Sequence, residues 1–392
     1  MALKNNTWKL NQWYDQDVAG NVEYNGDRQL WAFGRNHQGQ LGQNSINSPA
    51  NNGLSSPVQV MGSGWTAAWS SGSHIMGIKS DATAWAIGYN GPAGRLGTGA
   101  PAPTSVSSPV QMPGSWSSVQ GSSADNGMMQ AVNTDGELFM WGANTYGNLG
   151  HNNTTEYNSP VQIPGAWATG YRKTGLSGYN SLAIKEDGTL WSWGYNYGGS
   201  LGVSIPSGSK RSSPVQVGSG TDWDKIGKMF QASWAIKTDG TLWGFGYGSY
   251  GALAQGNTTD YSSPKQVPGT TWKDISSMDD GSIAVKTDGT LWAWGKNNYG
   301  QLGQNNTTNY SSPRQVPGTT WETISTGFGS VVATKSDGTA WAWGWGIYGM
   351  LGLNTGGPSI YYSSPTQIPG TDWDNTFHIG NTNNVHFLYK HQ

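Results

Sequence analysis

The chain has 392 residues, of which only 11% are charged, with a net charge of −2 and no cysteine. Disulfides and thiolate metal sites are therefore excluded, and without a basic block neither nucleic acid nor a membrane surface is an expected partner. No stretch approaches the roughly 18 consecutive apolar residues of a membrane span, and the first residues lack the apolar run of a secretory signal peptide.

Residues 1–22 read as an N-terminal extension. Its apolar docking points are Trp8, Trp13 and Tyr14, and the expectation is an anchor, the alternative being a tail laid on the neighbouring repeat. From residue 23 onward one phrase recurs seven times: a short strand ending in Trp-x-x-Gly, a loop, and a segment of the Ser-Ser-Pro type. The recurring position is Trp31, Trp85, Phe139, Trp191, Trp243, Trp292 and Trp341, at intervals of 54, 54, 52, 52, 49 and 49 residues. Self-similarity at such a period means a repeat architecture in which each unit packs on the next. With 22 Trp in the chain, aromatic burial takes the place of a Leu- and Ile-rich core.

The copy at 272–316 shows the unit most cleanly. Trp272–Ser276 alternates apolar and polar, Ser282–Lys286 is rich in β-formers, and Asp288-Gly289 between them and Thr290–Trp294 reads as a type I′ hairpin turn. Gly295 stops the third strand. After a loop through Ser311-Ser312-Pro313 comes a fourth strand, Arg314–Val316, with the proline suiting an edge. Four short antiparallel strands repeated radially make a propeller blade.

The pattern Asp-Gly-Thr-Leu-Trp-x-Trp-Gly-x-Asn-x-x-Gly-Gln-Leu-Gly, clearest at 288–303, resembles the regulator of chromosome condensation repeat. That resemblance implies an all-β fold, a seven-bladed β-propeller of four-stranded antiparallel blades over residues 23–392. The order of copies predicts how the ring closes. Trp373 opens a last unit, 385–390 supplies its second strand, and the missing third strand, 25–34, stands at the other end of the chain. The two ends are expected to share one blade. A rival register has Trp13–Tyr24 supply the first strands.

Catalytic patterns are absent. The six His show no ligand spacing, no Ser sits in a nucleophile elbow, and the Asp-Gly pairs read as turns. No enzyme activity, metal or cofactor is expected. Antiparallel connectivity puts the stereotyped Asp-Gly and Pro-Gly turns on one face of the disc and the A–B and C–D loops on the other. From Leu-Gly to the Ser-Ser-Pro proline the C–D loops vary from 10 to 15 residues, and binding residues concentrate on loops held by rigid scaffolds. The candidates after Trp-x-x-Gly are Arg35, Tyr89, Tyr195, Tyr247, Lys296 and Trp345. Those in the A–B loops are His74, Tyr179, Phe230, Asp279, Asp280 and Phe328.

The resemblance implies a scaffold with several uses, including nucleotide exchange on small GTPases, inhibition of β-lactamases by bacterial members, and other protein binding. A chain rich in Asn, Gly, Ser, Thr and Trp with few charges also resembles phage fibre and capsid-surface proteins. The leading expectation is a non-enzymatic structural and binding protein of a bacteriophage virion or other extracellular surface. Its partners would be other virion proteins and a host surface receptor, protein or glycan. The alternatives are a bacterial propeller that inhibits or regulates a partner protein, and a lectin-like glycan binder.

Overall fold

The computed structural model describes residues 30–45, 54–70, 73–100, 104–122, 127–170, 172–227, 231–355, 359–371, 373 and 385–389. The extension with Trp8, Trp13 and Tyr14, and the rival register at 13–24, lie outside them. The described residues form seven antiparallel sheets in a seven-bladed β-propeller. Blades one to six take their strands, here A to D, consecutively within residues 65–112, 116–163, 174–216, 223–266, 272–316 and 321–368. Strand A packs on strands A and B of the preceding blade, as Trp321–Thr326 does on Trp272–Met278 and Gly281–Lys286, which makes it the inner strand. Strand D is the partly exposed outer edge.

The chain ends do share a blade. Leu30–Gly34 lies between Leu54–Gln59 and Val385–Tyr389, with Leu30 opposite Tyr389 and Gly34 opposite Val385. Trp373 takes the strand-A position of this seventh blade. Its N–H donates to the Gly338 carbonyl at 3.1 Å, as Trp321 donates to Gly289 and Trp272 to Gly240, each at 3.0 Å.

The Asp-Gly hairpin differs from the expected type I′ turn. Only the glycine has positive φ, +76° at Gly289. Gly289 N–H donates to the Lys286 carbonyl at 3.0 Å and Lys286 N–H to Thr290 at 2.9 Å, so the loop has three residues, a type I turn followed by a left-handed glycine. Asp288 Oδ1 accepts from the Thr290 N–H (2.9 Å) and hydroxyl (2.7 Å), and Thr290 Oγ1 accepts from the Trp292 indole (3.0 Å). The same relay joins Asp81, Thr83 and Trp85, and recurs at 187–191, 239–243 and 337–341. The threonine hydroxyl, then its N–H, holds each of these carboxyls below the usual range. The turn lysine then lies between two indoles: Lys286 Nζ is 4.7 Å from the Trp272 ring and 5.0 Å from Trp292.

Outside the seventh blade the Trp-x-x-Gly tryptophan is only half-buried. The fully buried aromatics are Trp65, Trp167, Trp321 and Trp373 at the strand-A position, Trp234 in strand B, and the residue two after the recurring strand-C position: Trp141, Trp193, Phe245, Trp294, Trp343 and Phe33.

What joins the blades is the rest of the phrase. The serines and proline lie inside strand D, not ahead of it, in a bulge: Ala293 pairs with Arg314 and Gly295 with Tyr310, leaving 311–313 unpaired. That bulge frees a serine carbonyl. The preceding blade's loop uses it, with Asn305 N–H donating to Ser363 at 2.7 Å, Gly256 to Ser311 at 2.8 Å and Asn152 to Ser212 at 2.7 Å. The first glycine of Gly-Gln-Leu-Gly lies against the same serine. A Cβ on Gly300, at φ +73°, would stand 2.5 Å from Ser363 Cα, and Gly39, Gly147, Gly199, Gly251 and Gly349 meet their serines equally closely. The residue after it accepts the next blade's buried indole, Trp343 Nε1 donating to Gln301 O at 3.0 Å and Trp294 to Ala252 O at 2.9 Å.

Two outcomes follow for stability. Ala82 occupies the turn-glycine position at φ +64°; Ala82→Gly removes about 1–2 kcal/mol of left-handed strain against about 0.4–1 kcal/mol of added unfolded-chain entropy, so the urea midpoint rises modestly. Gly300→Ala adds both strain and a backbone clash and lowers stability by roughly 3 kcal/mol or more in the same titration; an unchanged midpoint would refute the contact.

Candidate binding face

The loop face is assembled by one backbone bond per blade. The residue after the strand-C glycine donates its N–H to an A–B loop carbonyl: Tyr89 to Ser73 (2.9 Å), Tyr195 to Tyr179 (3.0 Å), Tyr247 to Gln231 (3.4 Å), Lys296 to Asp280 (2.9 Å) and Trp345 to Gly329 (2.8 Å). Two sets of candidates, about 16 residues apart in the chain, are thereby brought together.

From blade two to blade four the face is a tyrosine surface. The Tyr146 ring is 4.9 Å from Tyr195 and 5.8 Å from Tyr179. Tyr197 stacks on Tyr179 at 6.0 Å and approaches Tyr247 at 5.2 Å, while Lys210 Nζ lies 5.0 Å from the Tyr146 ring. Burial, then the neighbouring Tyr247, raises the Tyr197 phenol above its usual pKa, with the Asp280 charge adding to the effect.

Blade five places charge next to this surface. Lys296 Nζ is 2.7 Å from Asp279 Oδ2 and 3.7 Å from Asp280 Oδ2, and 5.2 Å from the Tyr250 ring. Burial opposes the Lys296 charge, but the bond to Asp279 and the two carboxylate fields outweigh it and raise its pKa. Burial, then Asp279, pushes Asp280 up to about 6. Asp280 also has φ +46°, and its Oδ1 is buried without a hydrogen-bond partner.

Blade six completes the arc. Asp279 N–H donates to the Phe328 carbonyl at 3.1 Å, Phe328 lies 6.4 Å from Trp345, and Trp345 stacks on Tyr299 at 4.7 Å with a 6° interplanar angle. Tyr361, opposite Trp345, is 54% exposed and Tyr250 43%. Tyr179, Tyr195, Tyr247, Asp279, Asp280, Lys296, Phe328 and Trp345 therefore share one continuous surface.

The remaining candidates stand apart. His74 is a correction: it is 1% exposed, with its ring Nε2 3.1 Å from the Met129 sulfur, and burial followed by the Arg95 charge lowers its pKa to about 3. It is a neutral wall residue. Tyr89 pairs with Arg95 at 5.5 Å on blade one, and Arg35 is half-buried at the end of strand C of the seventh blade. Phe230 lies outside the described residues.

Sequence reasoning missed Tyr146, Tyr197, Tyr250, Tyr299 and Lys210. The available signal was a tyrosine just before the glycine that clasps the next blade, in Asn-Thr-Tyr-Gly (144–147), Gly-Ser-Tyr-Gly (248–251) and Asn-Asn-Tyr-Gly (297–300), with Tyr197 two residues before its own, Gly199. An Asn-x-Thr segment recurs in three C–D loops and braces them: Asn306 Nδ2 donates to Gln304 O and Tyr310 Oη, each at 3.1 Å, while Oδ1 accepts from Thr308 N–H at 2.9 Å.

The regulator of chromosome condensation (RCC1) repeat matches residues 135–169, 239–285 and 288–333, and a second form of it matches 272–301. The ultraviolet-B receptor UVR8 of Arabidopsis thaliana is 29% identical over 131 residues, 33% of this chain and 30% of that protein. The E3 ubiquitin-protein ligase HERC2 of Homo sapiens is 27% identical over 250 residues, 62% of this chain and 5% of that protein. The match thus spans less than a third of either curated relative. Human WBSCR16 superposes with a TM-score of 0.78 at 19% identity, covering 93% of this chain and 100% of that one. Prp20p of Saccharomyces cerevisiae gives 0.78 at 17% identity over 93% and 92%, and its structure is described together with binding to Gsp1p and histones. Both likenesses show the fold.

The raised Asp280 pKa has a sign that can be measured. Between the ordinary 3.8 and about 6 the folded chain holds a proton that the unfolded chain has released, so Asp280 costs stability as pH rises through that window. Asp280→Asn is expected to raise the melting temperature at pH 7.5 and to leave it nearly unchanged at pH 3.5, read by thermal unfolding at both.

Proposed function

We propose that this chain, a β-propeller of the regulator of chromosome condensation repeat, is a non-enzymatic binding protein that recognises a macromolecular partner through the tyrosine-rich arc of its loop face. One observation carries the reading: aromatic and charged side chains from blades two to six adjoin one another across that face. Tyrosine and tryptophan are the usual anchors of protein interfaces, giving large contact area with few rotatable bonds. The B–C hairpins of the opposite face are short and nearly identical from blade to blade. Prp20p, similar in fold, is described as a binder of other proteins.

The setting we favour is the surface of a bacteriophage particle, where the protein attaches to other virion proteins and contacts a host receptor. What supports it is composition: few charges, no cysteine, and abundant Asn, Gly and Trp. Many copies on one particle would multiply a weak contact into firm adsorption.

The test is cosedimentation of the purified protein with candidate host cells, comparing Tyr179→Ala/Tyr197→Ala/Tyr247→Ala with Thr270→Lys/Thr319→Lys on the hairpin face. The triple variant should bind at least tenfold more weakly at an unchanged melting temperature, and the hairpin pair should bind normally. Equal loss in both, or in neither, rules out the arc as the working face. Capture of a single tight soluble partner would instead support an inhibitor or regulator, and saturable binding on a glycan array a lectin.

A further inference from the structure

Between blades four and five, where the tyrosine surface meets the charged group, the face sinks into a recess lined by Gln231, Tyr247, Ser277, Met278, Asp280 and Ser282. Its enclosed part accommodates a single water-sized group and then opens to solvent. Ala232 and Ala252 complete its apolar lining. Two acceptor atoms of this lining lack partners: Asp280 Oδ1, on a side chain only 10% exposed, and Gln231 Oε1. The two serine hydroxyls face each other at 3.3 Å. A buried acceptor without a donor costs about 1–3 kcal/mol, more for a carboxylate, so the site calls for a donor from outside.

We propose that this recess binds a primary ammonium group, the end of a lysine side chain or of another amine presented by a bound partner. An ammonium is water-sized, carries three donors and no acceptor, and so matches a pocket with two idle acceptors, one of them a carboxylate oxygen. A planar guanidinium exceeds the enclosed space. Charge also fits: Asp279, Asp280 and Lys296 together carry one net negative charge when all are ionised, and the ammonium balances it. The Tyr247 wall offers a ring to the cation. Burial and Asp279 both disfavour the Asp280 charge while Lys296 only partly offsets them, so a cation placed in the recess would favour the ionised form. The titratable groups facing it are Asp279, Lys296, Tyr197, Tyr247 and Tyr250.

The inference rests on the loop face being the working face, and the test separates the two. The full chain is titrated with n-butylammonium at pH 7.5 while the Asp280 side-chain carboxyl is followed by carbon NMR, with n-butanol and n-butylguanidinium as comparators. A saturable shift is expected with the ammonium alone. Asp280→Asn, followed at the Tyr247 ring, should weaken binding at least tenfold, and the charge-matched Asp135→Asn on the hairpin face should not. N-acetyl-lysine methylamide and glucosamine then distinguish a protein from an amino-sugar source. No saturable response, an equal response to butanol or guanidinium, or full binding in Asp280→Asn overturns the site, the first of these identifying a water-filled recess. If partner binding depends on Tyr179 and Tyr197 while the amine fails, the subsite falls and the binding face stands. If the amine binds while no partner depends on the arc, the reverse holds.

Discussion

The ring depends on one contact made between each blade and the next: a left-handed glycine pressed against a bulged residue, a serine at six junctions and Asn158 where Gly94 meets blade two. Each half makes sense only with the other. The bulge withdraws the serine carbonyl from its own ladder, which would leave a buried acceptor idle, and the preceding loop supplies the donor. The glycine lets two backbones approach to a distance that no side chain permits. Because the contact spans blades, it fixes the rotation from one blade to the next, and a ring closes only when those rotations add to a full turn. The seventh blade takes part through Gly349 against Ser55 on one side and Gly39 against Ser107 on the other. Closure thus rests on the strand from the chain end and on two copies of the clasp.

Blade two shows that the hairpin relay is a unit. There the lysine, threonine and tryptophan of the relay are replaced together by Asn133, Glu137 and Phe139. Asn133 Oδ1 accepts from the N–H groups of Asp135 and Glu137 at 3.0 and 2.8 Å, and its Nδ2 donates to Glu137 at 2.8 Å. Without an indole N–H the threonine hydroxyl has no donor to receive, and without the lysine an aromatic pair loses its cation. Phe139 instead meets Trp116 edge-on at 5.3 Å. In the sequence only Phe139 departs visibly from the repeat; the compensation lies in the bonds between Asn133 and Glu137 and in the Phe139–Trp116 contact.

The strand plan, the blade count and the shared blade were legible because each follows from periodicity and chain order. The turn type was not, since Asp-Gly fits both a two-residue and a three-residue loop and hydrogen bonds to Lys286 decide between them. His74 was misplaced for a related reason. A loop residue and the first residue of strand B look alike in sequence, but the strand's inward register buries the ring against Met129 and Trp69. Tyr146, Tyr197, Tyr250 and Tyr299 escaped because their neighbours are invariant-looking scaffold glycines, so the whole segment reads as framework. In fact the framework glycine is what points the adjoining tyrosine onto the face.

That juxtaposition explains how one loop serves two ends. The first half of the C–D loop is held by the clasp and, in five blades, by a buried asparagine (Asn36, Asn90, Asn144, Asn196 and Asn297), with glycine standing there at Gly248 and Gly346; Asn297 accepts from Leu302 N–H at 2.9 Å and donates to the Asn306 and Thr308 carbonyls at 3.0 Å. Side chains projecting from so constrained a backbone lose little freedom on binding, which lowers the entropic cost of recognition. Against this well-satisfied frame, Asp280 stands out as a residue in conflict with its surroundings: left-handed, desolvated, beside another carboxylate, and with an idle oxygen. Sequences that are consistent at every other level tolerate such conflict where a site is held ready. Its neighbours in the arc are tyrosines whose rings are already packed on one another. The strain is confined to the point where charge meets the aromatic surface, and the clasp on either side keeps it from relaxing.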